Sequence, residues 1–527
     1  MKLLMVALFA AAALHAQAPD TILINGKILT VDARNTVQQA LAIREGKIAA
    51  LGTTAAIRAI AGPTTRVIDL GGRTVIPGLI DSHMHAIRAA LSFSTEVNWI
   101  GARSIAEAMR RVTEAARSKP AGSWLIVAGG WTADQFTERR APTQAELVAV
   151  APSNPVYVQL GYSWAILTPA GYTAIGALPP GLTPDAKNPG AVNGGQSAIV
   201  ALFDKLPKPT AEQQVEGTRL FFRELNRLGL TGVVDPGGNN LFPSDYQAVQ
   251  KVWRDGQLTV RIAFSLGAQI NGAELKDFQE QTLMLPMGFG DDYLRFNGIG
   301  ERVTAAMNNN DRPTAEEKEK YLQIAKWAAA RGMALTMHWP NNSSVNQLLD
   351  IFATVNQEIP ITNLRWSIAH LGDASEATMQ RMKALGVGWT VQNGTYFGAS
   401  PNAKMPALNT ARRVGIGVGA GTDAHRVMSY NPFTAIQWLL DGKTVAGASI
   451  GGMTEAPSRE ESLRLYTLGS AWFSKDEDKR GSLEVGKQAD LAVLTKDYMT
   501  IPVAEVGGLE SLLTIVGGKV VYSSAPF

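Results

Sequence analysis

The chain of 527 residues contains no cysteine. That excludes disulfides, a cysteine nucleophile and any thiolate metal site. A metal would have to be held by histidine nitrogen or by oxygen from Asp, Glu or a modified Lys. Histidine is scarce as well, at six residues. Net charge is nearly absent: 49 Lys+Arg stand against 46 Asp+Glu, giving +3, and the basic residues form no long run. This speaks against a nucleic-acid protein. Beyond the N-terminus there is no apolar run long enough for a membrane-spanning helix.

What is present begins with "MKLLMVALFAAAALHAQAPD". A lysine precedes a short apolar run, and small residues follow at Ala16-Gln17-Ala18. This is the pattern of a secretory signal peptide over residues 1–18. It predicts export, to a bacterial periplasm or the medium, with no stable membrane span once the signal is removed.

Two styles of sequence alternate after that. Near both ends lie short β-type runs broken by Asn-Gly, Glu-Gly and Gly-Gly turns, such as "TILINGKILTVD", "ALAIREGKIAALG" and "LLTIVGGKVVYSS". Residues 19–73 and 480–527 are therefore expected to build one small β-sandwich domain from both chain ends. The middle, residues 74–479, alternates apolar strands with helical stretches, the pattern of a parallel α/β fold. Eight strands are predicted: Thr74–Asp81, Thr231–Asp235, Thr259–Leu266, Leu294–Gly300, Met333–Met337, Leu364–Ala369, Val387–Val391 and Gly415–Gly421. Eight βα units predict a TIM barrel. Residues 100–209 carry strands of their own, "WLIVAGG" and "PVYVQLGYSW", and read as an insertion packed over one end of the barrel.

His15 belongs to the signal. Of the other five, His83 and His85 follow the first barrel strand, His338 ends the fifth and His370 ends the sixth. His425 lies two residues beyond Asp423, which ends the eighth. Strand ends in a TIM barrel converge on one mouth. Side chains one residue apart on a strand share a face, so His83 and His85 are expected to point together into the barrel. Four histidines at three strand ends, in so histidine-poor a chain, predict a divalent metal site, with zinc the first choice for imidazole and carboxylate ligands.

The motif "PGLIDSHMH", with His338, His370, "GTDA" at Asp423 and "GSLEVGKQADLAVL", resembles the amidohydrolase superfamily. "GGWTADQFTERRAPTQAELVAVAPSNPVYV" is similar to the amidohydrolase 3 family, which includes N-substituted formamide deformylase-like proteins. The resemblance implies a metal-dependent TIM-barrel hydrolase. It gives His83, His85, His338, His370 and Asp423 as metal ligands, with Asp423 also moving the proton of the attacking water. Where many members carry a bridging carboxylated lysine, this chain reads "LRFNGIGERV". Glu301 is the candidate bridge, or else a charge at the barrel rim. Tyr162, in "LGYSW", stands roughly where relatives have a histidine.

The expectation is thus cleavage of an amide or cyclic amide, a C–N bond outside peptides, by water that one or two metal ions activate. Asp423 serves as general base and then acid. The same scaffold on an ester, lactone or phosphotriester is the first alternative. A non-catalytic metal- or ligand-binding protein is the second. Tyr162, His425, Trp131 and Trp339 are candidates for contact with a small-molecule substrate, and Trp164 and Tyr396 add aromatic bulk near the mouth. Packing roles compete for all of them. A homo-oligomer stays open.

Overall fold

The computed structural model describes residues 18–524, Asn239 and Asn309 excepted. The expected signal segment, with His15, lies outside the described residues apart from Ala18.

Eight parallel strands form the central sheet: β1 Leu79–Asp81, β2 Leu230–Asp235, β3 Arg261–Leu266, β4 Leu294–Ile299, β5 Ala334–His338, β6 Ser367–Ala369, β7 Gly388–Gln392 and β8 Val418–Gly421. Each pairs with its neighbour in the series. The seam between β8 and β1 is bridged past the strand ends. Ser82 N donates to Ala420 O at 3.1 Å, and Asp423 N donates to His83 O at 2.8 Å. β2 and β3 are buried at every residue, as strands of a barrel covered by helices must be. Helices such as Ala211–Arg227 and Ala315–Ala330 supply that cover. Each starts at a threonine capping box, Thr210 with Gln213 and Thr314 with Glu317, which satisfies the free N–H groups of the first turn.

The first predicted strand, Thr74–Asp81, is two strands. Thr74–Pro77 pairs in parallel with Lys27–Leu29 and antiparallel with Leu491–Leu494, outside the barrel. Only Leu79–Asp81 joins the barrel. Pro77 has no N–H to continue a ladder. At Gly78 the chain passes Thr231 so closely that a Cβ would stand 2.1 Å from its Oγ1. One apolar run therefore serves two sheets.

The chain ends build a sandwich. A four-stranded sheet (Lys47–Gly52, Ala40–Arg44, Thr21–Ile24, Arg66–Asp69) faces a six-stranded one (Lys519–Ser523, Ser511–Val516, Leu491–Leu494, Thr74–Pro77, Lys27–Leu29, Val37–Gln38). Leu23, Ile43 and Ile68 meet Val75, Leu491 and Ile515 between them. The buried pair of Arg261 with Asp490, Nε to Oδ2 at 2.8 Å and Nη2 to Oδ1 at 3.0 Å, ties this sandwich to β3.

Between β1 and β2 the inserted segment forms a five-stranded sheet over its own apolar cores. It docks on the loop after β8. Gly130 N donates to Arg426 O at 3.1 Å, and a Cβ on Gly129 would stand 2.2 Å from that same oxygen. Among the described residues no helix is long and apolar enough to cross a membrane.

Candidate metal centre

β1 ends at Asp81, and its carboxylate organises the turn that follows. It accepts from His83 N at 2.9 Å and from Thr422 Oγ1 at 2.7 Å. The ends of β1 and β8 are thereby locked together. Burial raises the Asp81 carboxyl to about 7, against the lowering effect of those hydrogen bonds. His83 and His85 lie beyond the strand, so it is this turn, and not strand alternation, that brings both rings to the mouth. Asp235, at the end of β2, accepts from Ile87 N at 2.8 Å and Gly237 N at 2.9 Å. Gly237 O in turn lies 2.6 Å from His85 Nδ1. A proton on Nδ1 donated to that carbonyl leaves Nε2 of His85 with its lone pair free toward the mouth.

Glu301, one residue past Gly300 at the end of β4, stands at the middle of the histidines. Its Oε2 is 3.2 Å from His83 Nε2, 3.2 Å from His338 Nδ1 and 3.1 Å from His370 Nε2. Its Oε1 is 3.3 Å from His85 Nε2. Asp423 Oδ1 is 3.2 Å from His85 Nε2 and 3.7 Å from His83 Nε2. His370 and Asp423 reach these positions from left-handed backbone, φ 67° and 56°. Such conformations are uncommon for side chains other than glycine and cost on the order of 1–3 kcal/mol.

Two groups of ligand atoms lie within 4.8 Å of one another: His83, Glu301 and His370, and His83, His85 and Asp423. A divalent cation fits them on three grounds. Both ring nitrogens of His83 are buried without a hydrogen-bond partner, although Nε2 lies so near Glu301. Ligands about 2.1 Å from a tetrahedral zinc stand roughly 3.4 Å from each other, close to the spacings here. The charges also agree. Burial would raise both carboxyls, but the imidazoles outweigh it, holding Glu301 well below its ordinary value and Asp423 lowered. Burial and Arg88 would push His85 down, yet Asp423 and Glu301 raise it to about 10. A pocket that draws a proton this strongly draws a cation in its place.

A cavity of about 880 Å³ opens beside His370, with Trp389, Gln392, Lys404 and Glu455 on its walls.

The residue model of the amidohydrolase family matches residues 66–522. The chain belongs to the amidohydrolase family. It is 26% identical to N-substituted formamide deformylase of Arthrobacter pascens, over 96% of this chain and 99% of that one. In fold it is similar to a metal-dependent hydrolase of Pyrococcus furiosus, with TM-score 0.65 and 21% identity over 91% of this chain and 100% of that one. It is also similar to an adenosine deaminase of Xanthomonas campestris with bound zinc, with TM-score 0.58 and 16% identity over 96% and 93%.

This amidohydrolase fold brings His83, His85, His338, His370 and Asp423 together, and of the two places open to Glu301 it takes the one among the histidines and not the barrel rim. The aromatic candidates fall elsewhere. Trp131 is buried in the core of the insertion, its Nε1 donating to Gln159 O at 2.8 Å, and Trp164 lies in the same core. Trp339 is buried in the barrel core, with Nε1 3.1 Å from Ser344 Oγ. Neither Trp131 nor Trp339 has a free face for substrate, because packing and an indole hydrogen bond occupy each. Tyr396 is partly buried against the same barrel core. His425, a candidate for substrate contact, is turned to a protein carboxylate instead. It is buried, with Nε2 3.2 Å from Glu96 Oε2. Tyr162 lines a second cavity, of about 590 Å³, with Arg88, Glu96 and Arg426. Sequence reasoning passed over Asp81, Asp235, Gly237, Glu96 and Arg88. The two aspartates stood visibly at strand ends, but nothing local to the others marked them.

Proposed function

We propose that the protein is an exported, metal-dependent amidohydrolase that cleaves an amide or cyclic amide. The observation that carries this reading is Glu301, a single carboxylate with one oxygen facing His85 and the other facing His83, His338 and His370. His83, His85 and Asp423 would hold one divalent ion, and His338 and His370 a second, with Glu301 shared. Zinc suits this donor set. When bound, such ions make water acidic enough to ionise near neutrality and draw electron density from a carbonyl oxygen.

The chain's own groups do the rest. Asp423 is held ionised by the surrounding imidazoles. Its Oδ1 is turned to His85, which leaves Oδ2 to take the proton of the attacking water and return it to the departing nitrogen. Gly237 O keeps His85 in one orientation. The cavity beside His370 has room for a small substrate. The preference for C–N over C–O cleavage rests on the family and on the formamide deformylase relative. Export rests on the pattern of residues 1–18.

Metal analysis of the purified protein with a panel of amides, cyclic amides, esters and lactones tests this. Metal-dependent release of an amine or amino acid is expected. Turnover confined to esters or lactones, or no metal and no turnover at all, overturns the reading.

A further inference from the structure

We propose that the substrate carries an apolar arm bearing an uncharged carbonyl, and that a side cavity behind β7 receives this arm through the indole N–H groups of Trp389 and Trp438. That the arm belongs to an amide rests on the function proposed above. Its size and polarity rest on the cavity.

The cavity of about 880 Å³ starts at His370 and turns away from the barrel axis. On β7, Thr390 points inward, its Oγ1 2.7 Å from Ser82 Oγ. Trp389 and Val391, on either side of Thr390, therefore face outward to the helices. Both line the cavity, and so does Trp438 on the helix Pro432–Asp441. The space thus runs from a metal ligand into the layer between strands and helices. A volume of this size suits a drug-sized group, far larger than an amide alone.

The cavity wall holds donors with nothing to bind. Trp389 and Trp438 are buried, and among the described residues neither Nε1 has a hydrogen-bond partner. Thr395 Oγ1, on the same wall, has none either. An indole N–H can only donate, and when buried it usually finds an acceptor. Two left open on one wall call for an explanation, and an acceptor brought in by the ligand supplies it.

Charge decides which acceptor. Beyond the metal centre the wall carries the carboxylates of Asp373 and Glu455 and one ammonium, that of the exposed Lys404. Asp373 accepts from Asn342 N at 2.9 Å, and Glu455 accepts from Thr410 N and Thr410 Oγ1, each at 2.9 Å. An acid in this space would meet more negative charge than positive, and neutral donors would not repay its lost hydration. A ketone, ester or amide carbonyl offers its lone pairs without that cost. Leu371, Val391 and Met405 give the rest of the arm an apolar surrounding.

The test uses the metal-loaded enzyme. Its probes are N-methylbenzamides substituted on the ring, meta or para, with acetyl, with the isosteric isopropenyl group, or with carboxylate. Calorimetric Kd values run alongside kcat/KM. At one ring position at least, the acetyl probe is expected to bind about three- to tenfold more tightly than the isopropenyl one, the worth of one neutral hydrogen bond. The carboxylate should bind less tightly than the acetyl probe. Trp389→Phe and Trp438→Phe keep an apolar ring and remove the N–H, and at least one should bring the acetyl-to-isopropenyl ratio to about one. The infrared stretch of a bound ¹³C-acetyl probe reads the same bond in the unmutated protein, and it should lie below its value in hexane. Equal binding of the acetyl and isopropenyl probes by the wild type overturns the proposal. So does a ratio that both variants keep, a carbonyl stretch at the hexane value, or tighter binding of the carboxylate. If the acetyl preference in Kd depends on the indoles and no amide is cleaved, the cavity site stands and the amidohydrolase reading fails.

Discussion

Glu301 and His85 meet through the carboxylate oxygen that the other three histidines do not face. Oε1 stands 3.3 Å from His85 Nε2, while His83, His338 and His370 lie nearest Oε2. A carboxylate divided in this way can join two cations, and its removal should uncouple them. Elemental analysis is expected to find about two metal equivalents in the wild type and about one or fewer in Glu301→Ala. Equal stoichiometry in both proteins would show that Glu301 is not shared between ions.

Asp423 holds the proton-transfer position. Asp423→Asn keeps the shape and removes the charge. Turnover should fall by about 10²–10⁴-fold, the usual share of general acid–base catalysis, while the melting temperature changes little. Activity near the wild-type level would sink the role given to Asp423.

Gly237 supports His85 from behind. Its φ is +81°, and a Cβ there would stand 2.5 Å from Gly300 O, beside Glu301. Gly237→Ala must move either the carbonyl that orients His85 or the strand end that carries Glu301. Metal affinity is expected to drop about 10–100-fold. Competition with a chelator of known affinity measures it, and unchanged affinity would show that the carbonyl is dispensable.

The Glu96 cluster gives a pH signature. Burial alone would raise the Glu96 carboxyl, but the charge of Arg426 and then the contact with His425 hold it at about 2. A lowered carboxyl contributes its stability above its ordinary 4.5 and loses it as pH falls toward 2. The contribution is on the order of 3 kcal/mol. The melting temperature of Glu96→Gln should therefore lie furthest below wild type near neutrality, with the gap closing below pH 4.5. A gap independent of pH would mean that packing, and not charge, is what Glu96 supplies.

Much of the architecture was legible residue by residue. A barrel strand is a short apolar run between turns, and each of the eight runs carries that mark locally. His83, His85, His338, His370 and Asp423 were legible for the same reason, because position relative to a strand end is a local property. The break at Pro77-Gly78 was harder. The two halves of that run look alike, and only pairing with Lys27–Leu29 and Leu491–Leu494 separates them.

The aromatics show where local reading stops. Trp131 and Trp339 sit near the mouth in sequence terms, yet each is buried in a core. Hydrophobicity says that a tryptophan will be covered, and it does not say by what. His425 is the same case with a charge, since its partner Glu96 lies 329 positions away.

By itself, then, the sequence determined a cysteine-free barrel with imidazoles and one aspartate at its strand ends, because strand boundaries and ligand chemistry are written in neighbouring residues. Tertiary structure alone decided that Glu301 stands among all four histidines and that Asp81 locks β1 to β8. Those are facts about distances between residues far apart in the chain, set when the barrel closes and the insertion docks on it.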